Sequence, residues 1–209
     1  GVDPDTPRSE TAYDITVLPA FRSTWLPTAT VASRVVADGD WRYDDDTMDF
    51  LAVPDDLTTS GMRYSMTEVD LELSADRLRT SVTPSGRVSE IFTDIPDDLP
   101  PVVRELAVEV TGSEQTEFEK AVALQNWFRE EFDYSLDQVE GSGYDALEQF
   151  LGEDENGENG RTGYCEQFAS AMAIMARVLG IPARVAIGFL SPTQTGPSSY
   201  VYTARDLHA

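Results

Sequence analysis

The sequence predicts an α+β protein in which a β-rich module precedes a core of mixed helices and strands. Two patterns carry this prediction. In the first half, apolar residues alternate with polar ones in short runs, which is typical of strands with one exposed face. Beyond about residue 101, apolar residues recur every three or four positions, which is the spacing of amphipathic helices. The change of period divides the chain into two parts of different architecture.

Strands joined by turns are predicted from residue 11 to about residue 93, with no helix among them. Alternation runs through Tyr13–Val17 and again through Val69–Leu73. The alternation changes phase just before the second of these runs, which requires a bulge or a bend. Such short antiparallel strands favour a β-sandwich, so residues 1–93 are predicted to form a β-sandwich-like module.

A linker and a second domain follow this module. Residues 94–101 have an acidic, proline-rich linker composition, and Pro101 suits the first position of a helix. Residues 102–209 form the predicted core domain. Its first helices are expected over Val103–Val110, over Phe118–Phe132 and over Asp145–Leu151, the last with Asp145 as its N-cap.

Composition limits the function classes open to the chain. Its 209 residues include 38 Asp and Glu against 15 Lys and Arg, for a formal charge of -23 at pH 7. A nucleic acid backbone is bound through clustered cations, so no nucleic-acid partner is expected. An anionic membrane surface would repel the chain for the same reason, and no apolar run is long enough to cross a bilayer.

No metal or other cofactor is expected either. One cysteine and one histidine cannot supply a disulfide framework or a zinc site. The acidic loop Glu153–Gly160 has the composition of a calcium loop. Counted from Asp154, however, its twelfth position is Cys165 rather than the glutamate that such a loop requires. This loop is therefore predicted to be a solvated turn.

The chemistry of the sequence is centred on its only cysteine and its only histidine. Cys165 begins a predicted helix, whose first N–H groups favour negative charge on sulfur and can donate to an oxyanion. His208 lies 43 residues later, near the end of a predicted strand Tyr200–Leu207 that returns along another over Val185–Phe189. A cysteine and its base need only meet in space. A lone cysteine is also commonly a small buried apolar residue, so the pattern alone leaves both interpretations open.

Three segments resemble motifs of the transglutaminase-like superfamily. They are Gly163–Ala169 (GYCEQFA), Ala176–Arg184 (ARVLGIPAR) and Asp206–Ala209 (DLHA). Within the superfamily, the sequence is most similar to bacterial membrane-anchored transglutaminase-like proteins, which Tyr134–Leu136 and Gly143–Leu147 also fit. The resemblance is specific over residues 101–209 and weaker before them.

This resemblance implies a papain-like fold with a Cys-His-Asp mechanism. Cys165 would attack a glutamine side-chain or peptide-like carbonyl, forming a thioester and releasing ammonia or an amine. His208 would activate the sulfur and then deprotonate the incoming amine or water. The implied substrate is a protein or peptide at the bacterial cell envelope. The implied location is the extracytoplasmic face of the membrane, with transmembrane segments lying outside this sequence.

The sequence departs from the family pattern at the third catalytic residue. The family has an Asp on the strand after the histidine, whereas only Ala209 follows His208 here. Asp206 is a poor substitute, because residues two apart on a strand lie about 6.5 Å from each other, and a structural role is expected for it. We therefore expect a C-terminally incomplete core that folds but is poorly active.

Other residues near the cysteine have less defined roles. Tyr164 and Tyr134 are candidates for a side-chain oxyanion donor, although a packing role suits each of them better. Gln167 receives no assigned role. Two alternatives to acyl transfer stay open: a catalytically silent binding or scaffold domain, and a cysteine peptidase of the same fold. The presence of both Cys165 and His208 favours an enzyme.

Overall fold

The computed structural model describes most of the chain, namely residues 5–82, 88–137, 143–152, 160–190 and 192–209. The chain forms two compact units, Gly1–Arg77 and Leu78–Ala209. The predicted domain limits, with a module over 1–93, a linker over 94–101 and a core over 102–209, stay a prediction, because compactness alone does not define a folding unit. The predicted acidic loop lies outside the described residues except for its last residue, Gly160.

Two three-stranded antiparallel sheets build the first unit. Their strands are β1 (Arg8–Thr16), β2 (Trp25–Leu26), β3 (Ala32–Ala37), β4 (Trp41–Asp44), β5 (Asp49–Ala52) and β6 (Arg63–Leu71). One sheet has the order β1-β6-β3 and the other the order β2-β5-β4. Buried Val17, Leu26 and Tyr64 form a hydrophobic cluster to which both sheets contribute. The β-rich character of this region is thus confirmed, while the β-sandwich arrangement stays a prediction.

An irregularity lies at the predicted change of phase. In β3, Ala32 is opposite Glu68 and Arg34 is opposite Thr67, so β3 carries one extra residue at this point. The bulge therefore lies in the partner of β6 rather than in β6 itself. An extra residue in one strand increases the local twist. Tyr64 and Val69, which lie on either side of this point of β6, are both buried.

One helix lies where the sequence predicts none. Helix α1 (Ala75–Thr80) has no buried residue, so no apolar period marks it in the sequence. The Ser74 hydroxyl accepts a hydrogen bond from the Arg77 N–H at 3.2 Å, which stabilises the start of the helix. A short 3-10 turn, Glu90–Phe92, follows further along. The prediction of strands and turns alone up to residue 93 is therefore wrong at these two places.

Helices form the core of the second unit. They are α2 (Pro101–Thr111), α3 (Glu117–Glu131), α4 (Tyr144–Leu151) and α5 (Cys165–Val178). Pro101 occupies the first turn of α2, as predicted. The innermost side chains are at most 1% exposed: Val103, Ala107, Leu124, Leu151, Ala171 and Met175. No described helix is long and apolar enough to cross a membrane.

Helix α4 begins differently from the prediction. Its N-cap is Gly143, with φ 87°, so Asp145 lies in the first turn and the prediction of Asp145 as N-cap is wrong. A glycine can adopt this left-handed conformation without the steric penalty of a Cβ atom. The Asp145 carboxylate still lies where the helix dipole favours negative charge.

A capping box fixes the start of α3. The Thr116 hydroxyl accepts from the Glu119 N–H at 3.2 Å, and the Glu119 carboxylate accepts from the Thr116 N–H at 3.1 Å. Hydrogen bonds from the side chain and then the backbone of Thr116 lower the pKa of Glu119. The carboxylate of Glu119 therefore stabilises the fold above its unfolded pKa, and that contribution is lost as pH falls through its lower folded pKa.

Replacing Thr116 by alanine is expected to lower the free energy of unfolding by about 1 kcal/mol, the usual cost of losing an N-cap. Because Thr116 also lowers the pKa of Glu119, the variant should lose less stability on acidification than the wild type. Urea unfolding at neutral and acidic pH measures both effects. Ser113→Ala, in the exposed turn before α3, is the control. Equal unfolding curves for wild type and Thr116→Ala at neutral pH would contradict the prediction.

Short strand pairs complete the second unit. They are β7 (Asp133–Tyr134) with β8 (Thr162–Gly163), β9 (Gly188–Phe189) with β12 (Leu207–His208), and β10 (Thr193–Gly196) with β11 (Ser199–Val201). The strand predicted over 185–189 is thus limited to its last two residues. Ile187, which precedes these two residues, is 79% exposed. Alternation of apolar and polar residues indicates an extended backbone, and it does not by itself indicate that a partner strand is present.

The predicted returning strand over 200–207 is interrupted. Between β11 and β12 the chain forms a 3-10 turn, Ala204–Asp206, whose N-cap is Thr203. The Asp206 carboxylate accepts from the Thr203 N–H at 2.6 Å and from the Thr203 hydroxyl at 3.0 Å. This local pairing competes with strand formation. It places Asp206 in a capping role, in agreement with the structural role expected for it.

Candidate functional site

The short parallel pair β7 and β8 positions the start of α5. Tyr134 is opposite Gly163 in this pair. The Asp133 N–H donates to the Arg161 carbonyl at 2.9 Å, and the Ser135 N–H donates to the Gly163 carbonyl at 2.8 Å. Since Gly163 is followed at once by Tyr164 and then by the first residue of α5, these bonds hold the cysteine end of the helix against β7.

Cys165 is the first residue of α5, as predicted, and its thiol is free and partly buried. Tyr164 precedes it in an extended conformation, and the Tyr164 N–H donates to the Gln167 side-chain carbonyl at 2.9 Å. Gln167 thus satisfies the N–H of the N-cap residue, as the third helical residue does in a capping box. The sequence assigns Gln167 no role, although a glutamine at the third helical position is a known capping signal.

A cluster of four phenylalanine rings is packed together at the start of α5. It consists of Phe128, Phe132, Phe150 and Phe168, whose ring centroids lie within 6.3 Å of one another in every pair. Phe168 lies one helical turn after Cys165. Aromatic pairs at these separations contribute packing energy beyond their buried area. The cluster therefore fixes the orientation of the first turn of α5.

Gly163 brings β8 into close contact with this cluster. It is buried, and a Cβ atom at this position would lie 2.9 Å from the Phe150 ring and 3.2 Å from the Gln167 side-chain oxygen. No larger residue fits there without movement of the ring or of the strand. The glycine before Tyr164-Cys165 is therefore a requirement of packing.

His208 is carried by the antiparallel pair β9 and β12. It is opposite Gly188 in that pair, and the Leu190 N–H donates to the Asp206 carbonyl at 2.8 Å just beside it. The imidazole is partly buried, and its centroid lies 6.3 Å from that of the Tyr134 ring, at an interplanar angle of 34°. The structure therefore places His208 next to β7.

Tyr134 connects the two halves of the site. Its ring centroid lies 6.1 Å from that of Phe168 on α5 and 6.3 Å from that of His208 on β12. The predicted residues Cys165, Tyr134 and His208 are thus carried by elements that meet in one region. Within the described residues, the Cys165 thiol and the His208 imidazole are not hydrogen-bonded to each other. Catalytic hydrogen bonds are often long in ligand-free structures and tighten when substrate binds.

The other tyrosine of the predicted site has a different environment. The Tyr164 hydroxyl donates to the Glu166 carboxylate at 3.1 Å. A hydroxyl that gives its proton to a carboxylate is less available as an oxyanion donor. Of the two predicted candidates, Tyr134 is therefore the better placed relative to His208.

Arg161 is a residue of the site that sequence reasoning missed. Its guanidinium lies 5.5 Å from the Trp127 ring centroid and 5.6 Å from that of Phe132, and it pairs with Glu131 at 3.1 Å. Its side chain is only 17% exposed. Through this pair, Arg161 links the end of α3 to the segment that leads directly into β8. No local pattern marks it, because its partners lie about thirty positions earlier in the sequence.

Replacing Arg161 by methionine is expected to lower the free energy of unfolding by about 1 kcal/mol through loss of its cation–π contacts. The ion pair adds little, because the Glu131 carboxylate is half exposed and the pair is therefore screened by water. Thermal unfolding of Arg161→Met compared with Arg129→Met measures the effect, since Arg129 is exposed on α3. Equal melting temperatures for the two variants would show that the guanidinium does not stabilise the site.

Comparison with known proteins gives one family. The sequence model of the transglutaminase-like superfamily matches residues 104–209, just over half of the chain. The uncharacterized protein YebA of Bacillus subtilis (strain 168) is 34% identical over 106 residues, which are 49% of this chain and 14% of that protein. A protein-glutamine gamma-glutamyltransferase of Pseudomonas aeruginosa is 33% identical over 90 residues, which are 43% of this chain and 12% of that protein.

The same fold is found in a solved structure. The crystal structure of the periplasmic domain of TgpA from Pseudomonas aeruginosa matches with a TM-score of 0.64 and 22% identity, over 96% of this chain and 64% of that one. This similarity establishes the fold, with its mixed helices and strands. The chain spans less than two thirds of that domain and a much smaller share of the two sequence relatives.

Proposed function

The chain belongs to the transglutaminase-like superfamily, and from this membership we propose that it catalyses acyl transfer or amide hydrolysis through a thioester on Cys165. One observation carries the proposal. The only cysteine begins α5, and the Tyr134 ring lies near both Phe168 in the first turns of that helix and the only histidine, His208. The proposed substrate class is a glutamine side chain or similar amide in a protein or peptide.

The first half of the proposed reaction forms the thioester. The imidazole of His208 takes the thiol proton of Cys165, and the sulfur attacks the amide carbonyl carbon. The tetrahedral oxyanion is stabilised by N–H groups at the start of α5, where the helix dipole favours negative charge. The imidazolium then returns its proton to the departing nitrogen. The carbon–nitrogen bond breaks and ammonia or an amine leaves.

The second half of the reaction regenerates the thiol. A primary amine or water attacks the thioester while the imidazole accepts its proton. The carbon–sulfur bond breaks, and the sulfur leaves and is reprotonated. An amine acceptor gives a new amide, whereas water gives a carboxylic acid. The acyl-enzyme is common to both outcomes, so transferase, deamidase and peptidase activities differ only in the amide attacked and in the acceptor.

One assay separates these outcomes. The protein is incubated with a glutamine-containing peptide and a fluorescent primary amine, and amine incorporation, ammonia release and peptide cleavage are measured together. Incorporation identifies a transferase, ammonia without incorporation a deamidase, and a new peptide terminus a peptidase. Because there is one cysteine, iodoacetamide reports directly on its acylation. Because the core is expected to be poorly active, the protein is used at the same concentration as the peptide, and full alkylation of Cys165 with none of the three products under these conditions would reject the proposal in favour of a binding or scaffold domain.

We also propose that the chain functions outside the cytoplasm, at the bacterial cell envelope. The similarity to a structure described as a periplasmic domain supports this location. The test is protease added to intact spheroplasts of the source bacterium. Digestion of the domain without lysis is expected. Protection until the cells are lysed would place the domain in the cytoplasm.

A further inference from the structure

We propose that Tyr134 is a positioning residue whose ring holds the His208 imidazole in place beside the cysteine end of α5. This inference rests on the proposed function, because it assigns His208 as the base. It differs from an oxyanion role for Tyr134, in which the hydroxyl would act on the substrate. Here the ring acts, and it acts through the histidine.

The backbone of Tyr134 is well fixed. It pairs with Gly163 in the parallel ladder of β7 and β8, and the N–H groups of Asp133 and Ser135 on either side donate to carbonyls of residues 161 and 163. Strand β8 is in turn packed against the Phe150 ring, which occupies the space that a Cβ atom of residue 163 would need. The backbone of Tyr134 is therefore held opposite Gly163, which precedes Cys165 by two residues, while the Tyr134 side chain is 54% exposed.

The backbone of His208 is held less firmly. Its strand, β12, has two residues, and among the residues that the structure describes it pairs only with the two residues of β9. A ladder this short fixes few torsion angles, so the orientation of the imidazole depends on what its ring contacts. The ring contact that the structure shows for His208 is Tyr134, at a centroid separation of 6.3 Å.

The Tyr134 ring contacts both α5 and the histidine, so the position of the His208 imidazole depends on the position of α5. It lies 6.1 Å from Phe168, which belongs to the aromatic cluster, and both of its separations are within the range of interacting aromatic pairs. Loss of the ring would leave the imidazole without its link to the helix that carries the sulfur. A base displaced by even 1 Å can lose up to about a hundredfold in rate.

The ring and the hydroxyl can be tested separately. Tyr134→Phe keeps the ring and removes the hydroxyl, whereas Tyr134→Leu removes the ring and keeps an apolar side chain. We expect Tyr134→Phe to retain thioester formation within about twofold, and Tyr134→Leu to lose about tenfold or more in kcat with little change in KM. Leu136→Ala, at a side chain that is 77% exposed in the same segment, is the control. A loss in Tyr134→Phe equal to that in Tyr134→Leu would overturn the inference in favour of hydroxyl chemistry.

A second readout does not require turnover. The chain has one histidine, so the imidazole Hε1 proton gives a single NMR signal whose position senses the ring current of a neighbouring aromatic side chain. Tyr134→Leu is expected to shift this signal at constant pH, and Tyr134→Phe to leave it near its wild-type position. An unchanged signal in Tyr134→Leu would overturn the inference.

Failure of this inference can be told apart from failure of the proposed function. If Cys165→Ala retains the wild-type activity, the proposed thioester is wrong, whatever Tyr134 does. If Cys165→Ala is inactive while Tyr134→Leu has the wild-type rate and melting temperature, the thioester stands and the positioning role is wrong.

Discussion

Replacing Cys165 by alanine is expected to abolish thioester formation and to lower product release by about a thousandfold or more. The sulfur is the only atom proposed to bond to the acyl group, so its removal eliminates the covalent route and leaves only the contribution of binding and oxyanion stabilisation. Because the thiol is partly buried and forms no disulfide, the variant is expected to fold with an unfolding free energy within about 1 kcal/mol of the wild type. Ammonia release and mass spectrometry of the acylated chain measure the loss.

The matched control for this variant lies in the same helix. Ser170 is exposed on α5, and Ser170→Ala is expected to keep full activity. His208→Gln should also lose most of the activity while keeping its thiol available to iodoacetamide, because the base and the nucleophile are separate residues. Activity retained in Cys165→Ala would show that the reaction uses another nucleophile, and the proposed function would then be wrong.

The helical part of the site is the part that sequence predicts well. The helical spacing of Phe168, Met172 and Met175 after Cys165 predicts a helix that begins near the cysteine, and α5 begins there. Helical periodicity is a local signal, carried by residues within one element. The same reasoning predicted α2 and α3, and the family resemblance is confirmed by the match over residues 104–209.

Sequence predicts poorly the contacts between elements that complete the site. The contact between Tyr134 and His208 joins residues 74 positions apart, and nothing local to either of them encodes it. Arg161 over Trp127 is a contact of the same kind. The interrupted strand before His208 has a different cause. Thr203 and Asp206 form a side-chain cap that outweighs the strand propensity of the neighbouring tyrosines.

Gly163 shows how a residue without a side chain can be decisive in such a site. In the sequence, Gly163 stands out only as part of a motif, and its backbone does not have the positive φ that would require glycine. Its requirement comes from Phe150, whose ring occupies the space that a Cβ atom would need. The reason is therefore visible only after α4 and β8 have been brought together.

Replacing Gly163 by alanine is expected to lower the free energy of unfolding by about 2 kcal/mol, because overpacking of a filled core costs about 1–3 kcal/mol. The new Cβ atom would lie 2.9 Å from the buried Phe150 ring, which is itself packed against three other phenylalanines and cannot move freely. Thioester formation should fall as well, since displacement of β8 moves Tyr164 and Cys165. Urea unfolding and the acylation rate measure the two effects.

The control and the rescue for this variant come from the same geometry. Gly188→Ala adds a Cβ atom that meets nothing within 4 Å, so it is expected to leave stability nearly unchanged. Phe150→Leu removes ring atoms, and combined with Gly163→Ala it should cost less than the two single losses added together, because the shorter side chain makes room for the new methyl group. Additive losses in the double variant would show that the Phe150 ring is not the obstacle. In that case the close approach of β8 to α4 would not be what fixes the start of α5.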